Sequence, residues 1–343
     1  MRNVTMAVFD SDALYCERLS EYLRSHLKLS FEIVSFTEKD RLYGSLDENE
    51  IAMLVVSESD ALCLKCDILG RNCRNIMILD EEGKSGNLEE SSDNNKIGIC
   101  HVSKYLPASE IVERVLEVCI SGAEGFSGLK VKSGTAETKI LGFYTPISRC
   151  GQTSFAIKMG EHLARKGRTL LLSFESFSAL TSLFEQEAEE DITDLLYFAD
   201  CERDKFCLYL EKIKRTRNGL DFIAPAKTAM QLKEISYEKI RELVELLSRE
   251  AGYQYILFDL KDYPDGFFDI LDLCDIVYTI MRNNSADHYR IGRYDKALLE
   301  NDYERVMAKT MKCLLPDGRD ITSYNRFIED IFMKSREVSG IGA

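Results

Sequence analysis

Apolar runs of strand length alternate with segments of helical periodicity along this chain, and that alternation leaves few folds open. In the first third, the strand-like runs are 4–9, 31–35, 51–56, 75–79 and 97–102. Leu14, Leu19, Tyr22 and Leu23 recur at helical spacing after the first run, as do Ile111, Val115, Leu116 and Val118 after the last. Further on, strands are predicted at 140–144, 169–174, 221–224, 255–259, 276–281 and 311–315. Helices are predicted at 152–166, 191–198, 205–214, 237–248, 285–299 and 323–333. Strands joined by helices form parallel sheets, and near-continuous apolar runs such as 255–259 suit strands buried on both faces. The fold class is α/β, with two doubly wound parallel-sheet domains. The glycine-rich stretch 121–138 has almost no apolar period and reads as a linker, dividing 1–120 from 139–343.

Composition narrows the function classes. With 45% hydrophobic and 30% charged residues, the chain has the make-up of a folded protein. Its net charge of −14 opposes nucleic acid as a ligand, because neutralising phosphates needs clustered Lys and Arg. The most basic stretch, 212–217, is short and reads as a cationic helix C-terminus. No apolar run approaches the roughly 20 residues of a membrane span, so no transmembrane segment is expected. The first ten residues turn acidic before a secretory core forms, which predicts a cytoplasmic protein. The eleven cysteines follow no disulfide spacing. Cys63, Cys66 and Cys73 lack a fourth ligand at zinc spacing, so reduced thiols are expected and no metal cluster.

In the first domain, Asp10 and Asp12 close the first strand, and Lys104-Tyr105-Leu106-Pro107 precedes the last helix. These positions resemble the magnesium carboxylates and the conserved-type lysine of a response-regulator receiver domain, across most of residues 1–120. The position of the phosphorylated Asp holds Ser57 followed by Glu58, which alternation places on the other face of the strand. The fourth strand ends in Asp80, where receivers use Ser or Thr. The resemblance therefore implies a receiver that has lost phosphoryl chemistry and docks partners. A plainer reading makes Asp10 and Asp12 loop and helix N-terminal acids.

In the second domain, Thr145-Pro146-Ile147-Ser148-Arg149-Cys150-Gly151-Gln152-Thr153-Ser154 lies between a strand and an amphipathic helix, where a phosphate-binding loop belongs. Gly151, Thr153 and Ser154 resemble the loop of MinD/ParA P-loop ATPases. Ile147 stands at that family's signature lysine and Gln152 at the phosphate lysine. Ser173 and Glu175 end the second strand where relatives carry Asp-x-Asp, and the resemblance places Glu175 beside the attacking water. Tyr255-Ile256-Leu257-Phe258-Asp259 resembles a Walker B strand, with Asp259 acting on magnesium. Cys274-Asp275 opens a strand like the one that follows it in the family.

The stretches 191–196 and 219–226, and the order of the two domains, are similar to the TadZ/CpaE pilus-assembly proteins. That resemblance implies ATP and Mg²⁺ as cofactors, held by Arg149, Cys150, Gly151, Gln152, Thr153 and Ser154, with Thr153 and Asp259 on the metal. Glu175 and Asp259 would be catalytic, for at most weak hydrolysis. It also implies pilus and secretion machinery as partners, a homodimer, and recruitment to a cell pole or the inner face of the membrane. The alternatives are a scaffold with a vestigial loop and an active DNA-segregating ATPase. The second is opposed by the net charge and by both lost lysines. Taken one by one, Asp259 also reads as a strand-end acid, Glu175 as a solvated carboxylate, and Arg149 as a surface residue or a substitute cation. The last helix, bearing Phe327, Ile328, Ile331 and Phe332, is expected to face the core rather than a membrane, since Glu329 and Asp330 interrupt it.

Overall fold

The computed structural model describes residues 4–68, 72–81, 86–90, 98–121, 126, 129–131, 137–178, 180, 182, 188–261, 264–316 and 321–339. Most of the glycine-rich stretch and the Cys66 side chain lie outside the described residues. By contacts the chain forms two units, Met1–Lys132 with Arg203–Lys212, and Ser133–Glu202 with Ile213–Ala343.

The first unit holds a six-stranded sheet ordered β2-β1-β3-β4-β6-β5. Its strands are β1 (Val4–Phe9), β2 (Phe31–Phe36), β3 (Ile51–Ser57), β4 (Cys73–Asp80), β5 (Gly86–Glu90) and β6 (Gly98–Ser103). The connecting helices are α1 (Ala13–His26), α2 (Lys39–Glu48), α3 (Glu58–Ile68) and α4 (Ala108–Ser121). Strand β3 is buried along its whole length, as a central parallel strand should be. β5 runs antiparallel to β6, so an edge strand stands where continued strand–helix alternation would put a helix. Glu58 opens α3, so the alternation argument does not apply to it: its Oε2 accepts from the Glu81 amide at 3.3 Å.

Two parts of the predicted linker are structured. Phe126 and Leu129 are buried, Val131 bridges Leu29, and the Phe126 ring meets Phe31 edge-on at 6.4 Å. Apolar residues spaced too widely to show a period still find a core. Arg203–Lys212 also groups with this unit, and Lys205 Nζ donates to Ile120 O at 2.8 Å. This excursion lies inside the segment 139–343 that the sequence reading assigned to the second domain. Nothing local to the sequence marks it, because it depends on long-range packing.

The second unit holds a seven-stranded sheet ordered β13-β12-β7-β11-β8-β10-β9. These are β7 (Lys139–Phe143), β8 (Thr169–Phe174), β9 (Arg215–Arg217), β10 (Leu220–Phe222), β11 (Tyr255–Leu260), β12 (Ile276–Met281) and β13 (Thr310–Leu314). All pairs are parallel except β9 with β10. The basic stretch 212–217 is divided: Lys212 lies in the last turn of α7 (Phe206–Ile213), as a cation at a helix C-terminus should, and Arg215–Arg217 form an exposed, charged edge strand that blunts edge-to-edge pairing.

Helices of this unit are α5 (Gln152–Ala164), α6 (Ile192–Cys201), α8 (Ala229–Lys233), α9 (Tyr237–Arg249), α10 (Phe267–Leu273), α11 (Ser285–Glu300), α12 (Glu304–Ala308) and α13 (Ile321–Ser339). α7 (Phe206–Ile213) falls almost wholly in the Arg203–Lys212 excursion. α5 lies close on the sheet because Gly160 has no side chain: a Cβ there would sit 2.8 Å from Leu220. α13 turns Ile328, Ile331 and Phe332 into the same buried cluster as Leu141, Phe155 and Leu257, so it faces the core as expected.

Candidate functional site

The C-terminal ends of β7, β8 and β11 converge at the start of α5, the position at which open α/β sheets bind ligands. Asp259 pairs in register with Phe143 on one side and Ser173 on the other. Glu175 follows β8 by one residue, and residues 144–151 link β7 to α5.

The loop is held by its own side chains. Thr145 Oγ1 donates to Ile280 O at 2.8 Å and accepts from the Ile147 amide at 3.4 Å. Cys150 Sγ donates to Ile147 O at 3.3 Å, and burial pushes its thiol pKa up. Arg149 (φ 53°) and Gly151 (φ 87°) are both left-handed. Glycine takes that conformation freely, whereas an L side chain at Arg149 costs roughly 1–2 kcal/mol. The loop thus takes a glycine-type path at a position that carries arginine.

Gly151 caps α5 without a side-chain hydrogen bond, and the first turn carries no acid. The helix therefore presents its positive end with no carboxylate in the first turn, and the Gln152 backbone amide meets the Cys150 thiol. Gln152, at the phosphate-lysine position, turns inward: its Nε2 donates to Asp259 Oδ1 at 2.7 Å and to Leu260 O at 3.0 Å. Thr153 Oγ1 donates to Glu175 Oε2 at 3.5 Å. Ser154 and Arg149 are exposed. Asp259 is fully buried, and its Oδ2 has no hydrogen-bond partner among the described residues. Burial raises its pKa, opposed by the Gln152 amide and the Thr153 hydroxyl and reinforced by the Glu175 charge.

One residue of the site escaped the sequence reading. Lys261, just past β11, forms an ion pair with Glu175, and its backbone N–H donates to Phe174 O at 3.4 Å. No motif marks this lysine; its sequence position two residues after Asp259 was the available signal.

These residues fit a magnesium nucleotide. Uncapped amides at a helix N-terminus suit phosphate, and a hydroxyl with an orphaned buried carboxylate oxygen suits a hard cation that keeps several waters. Among the described residues no group of three or more His, Cys, Asp and Glu could hold a metal ion by itself. The family's signature lysine does not fit, because Ile147 is buried. Ile147→Lys is therefore expected to lower stability by about 2–4 kcal/mol, from an ammonium placed in an apolar site. Denaturant titration checks this, and an unchanged midpoint would show that the position is open to solvent.

In the first unit the receiver pocket has been rebuilt around its own side chains. Ser57 is fully buried, and its hydroxyl donates to Asp60 Oδ2 at 2.9 Å, which also accepts from the Ser11 amide at 2.8 Å. Lys104 Nζ lies 2.8 Å from Asp10 Oδ2 and 4.4 Å from the centre of the Tyr15 ring. Asp12 is the N-cap of α1, accepting from the amides of Leu14 and Tyr15, so the capping reading describes it. Asp80 meets His101 Nδ1 at 3.0 Å from both carboxylate oxygens. Incubation with acetyl phosphate and Mg²⁺ is expected to leave the chain unphosphorylated, since a buried serine hydroxyl replaces the acceptor carboxylate. Intact-mass measurement tests this; stoichiometric phosphate mapped to Asp10, Asp12 or Glu58 would overturn it.

Residues 1–116 match the family model described as TadZ-like, receiver domain. The match lies within the first unit. No curated protein matches the chain. Among solved structures, a ParA family ATPase from Chlorobium tepidum TLS is 17% identical, with a TM-score of 0.45, covering 59% of this chain and 81% of that one. A plasmid partition protein from Borrelia burgdorferi B31, bound to AMPPNP, is 14% identical with a TM-score of 0.43, covering 58% and 99%. Cobyrinic acid a,c-diamide synthase from Mycobacterium smegmatis, with bound ADP and magnesium, is 14% identical with a TM-score of 0.40, covering 57% and 82%. The second unit is a seven-stranded, mostly parallel sheet with a loop joining β7 to α5. No helix among the described residues is long and apolar enough to cross a membrane.

Proposed function

We propose that this chain is an ATP-binding localisation or assembly factor of the TadZ/CpaE kind, serving Tad/Flp pilus machinery, with slow hydrolysis or none. The observation that carries the reading is Asp259: a fully buried carboxylate with an orphaned oxygen, bonded to the first residue of an uncapped helix. A structural acid at a strand end would normally be satisfied, because an unpaired buried polar group costs about 1–3 kcal/mol. Magnesium and its water shell would use that oxygen. The match to a TadZ-like receiver supports the pilus context, and partners rather than a membrane helix would bring the protein to a pole or to the inner face of the membrane. A homodimer belongs to the same proposal, formed without the signature lysine that Ile147 replaces.

One observation favours the scaffold reading instead: the Gln152 amide is already committed to Asp259 Oδ1 and to Leu260 O. DNA segregation has less support, since the net charge is −14 and the basic stretch 212–217 is short and divided between the end of α7 and an edge strand. The deciding experiment is thermal unfolding of the full chain with Mg-ATP. At 100 times its dissociation constant the ligand stabilises by about 2.7 kcal/mol, a rise of roughly 5–10 °C for a domain of this size. No rise at millimolar Mg-ATP would leave the scaffold reading in place.

A further inference from the structure

We infer that Lys261 is the cation that binds the nucleotide's phosphates in this chain, taking over from the lysines that the loop has lost, and that Glu175 holds it in reserve. The inference rests on the ATP-binding reading above and names the residue that makes such binding workable.

Polyphosphate recognition needs positive charge in addition to backbone amides. Neither family position can provide it. Ile147 is apolar and buried, and Gln152 is neutral and committed to Asp259 and to the carbonyl of Leu260. That second bond matters for placement, because Leu260 is the residue directly before Lys261. The side chain at the phosphate-lysine position therefore touches the peptide that carries the alternative lysine. The backbone N–H of Lys261 is fixed to Phe174 O, beside Glu175, so its stem starts at the rim of the site. Its charge acts on both Asp259 and Cys150, lowering the pKa of each, which places the ammonium within electrostatic range of the strand end and the loop together.

The Lys261 side chain is 52% exposed and that of Glu175 is 15% exposed. The ammonium is half in water and can exchange partners, whereas the more buried carboxylate keeps the Thr153 hydroxyl when the lysine leaves. A triphosphate bears more negative charge than one carboxylate and competes for the ammonium. Once Lys261 has moved, the Thr153 hydroxyl remains the described partner of Glu175, and the carboxylate is free to orient a water. Arg149 is the rival cation: it is exposed at the loop apex, with a backbone conformation that only the loop's path explains.

Isothermal titration of Mg-ATP into the full chain and four variants tests the assignment. Lys261→Met is expected to weaken binding by about 10- to 100-fold, with Lys261→Arg restoring most of it. Arg149→Gln should change it less than threefold. Glu175→Gln separates the roles, because a lysine that merely anchors Glu175 would make this variant behave like Lys261→Met. If Glu175 holds the lysine in reserve, Glu175→Gln binds ATP more tightly than the parent. Unfolding without nucleotide should match the parent for Lys261→Met, showing that the loss is not one of folding. Parent chain that binds with Lys261→Met unchanged would overturn this inference alone. Parent chain that fails to bind would remove the ATP-binding reading and this inference with it.

Discussion

Asp259→Asn is expected to raise stability and to abolish the magnesium dependence of nucleotide binding in the same protein. The native carboxylate is fully buried with one oxygen unpaired, and burial holds its pKa above the ordinary carboxylate range. An amide removes the desolvated charge and keeps an acceptor for Gln152 Nε2. Its N–H groups would face the Thr153 hydroxyl, and the repulsion between the Asp259 and Glu175 charges would be gone. A gain of about 1–2 kcal/mol at neutral pH follows from replacing an unsatisfied charge with a satisfied dipole.

The sign of the pH dependence follows from the same shift. Folded Asp259 keeps its proton to higher pH than the unfolded chain does. Between the unfolded and folded pKa values the native state therefore binds more protons, and stability falls as pH rises through that window. Asp259→Asn should lack this limb, so the two proteins converge at low pH and diverge towards neutrality. Melting curves from pH 4 to 8, with and without Mg-ATP, read both effects. A variant less stable than the parent, or one that still needs magnesium, would show that Asp259 is a structural strand-end acid.

Hydrolysis is expected to be slow even where ATP binds well. Each preorganised charge aimed at a phosphoryl transition state commonly contributes about 3–4 kcal/mol, or roughly 10²–10³ in rate. Ile147 offers no charge, and Gln152 offers a dipole committed to Asp259. A lysine supplied from the end of β11 neutralises phosphate charge without the direction that a loop lysine has, so binding recovers more than turnover does. Single-turnover assays should give rates at least about 10²-fold below those of a P-loop ATPase with both lysines. Rates equal to such an enzyme would mean that other groups supply the missing charge.

Much of the architecture was legible before any coordinates. β8 and β12 span the residues that their apolar runs predicted, because strands buried on both faces have little choice of composition. The short helices α8, α10 and α12 and the edge strands β5 and β9 went unread. Their residues are too few to establish a period, and tertiary contacts set their conformation. The same limit concealed Phe126 and Leu129 within a glycine-rich stretch.

At the site, the sequence alone determined which chemical groups are present. Serine stands at position 57, isoleucine at 147 and glutamine at 152, and Gly151, Thr153 and Asp259 lie near strand ends. These are facts of residue identity, fixed by spacing from a strand end. Only the tertiary structure decided what each group does. It committed Gln152 to Asp259, left Asp259 Oδ2 without a hydrogen-bond partner among the described residues, buried Ser57 against Asp60, and paired Lys261 with Glu175. Each of these depends on distances between residues far apart in the chain. Local periodicity reports which face a side chain takes, while burial and hydrogen-bond partners come from the neighbours that packing brings to that face.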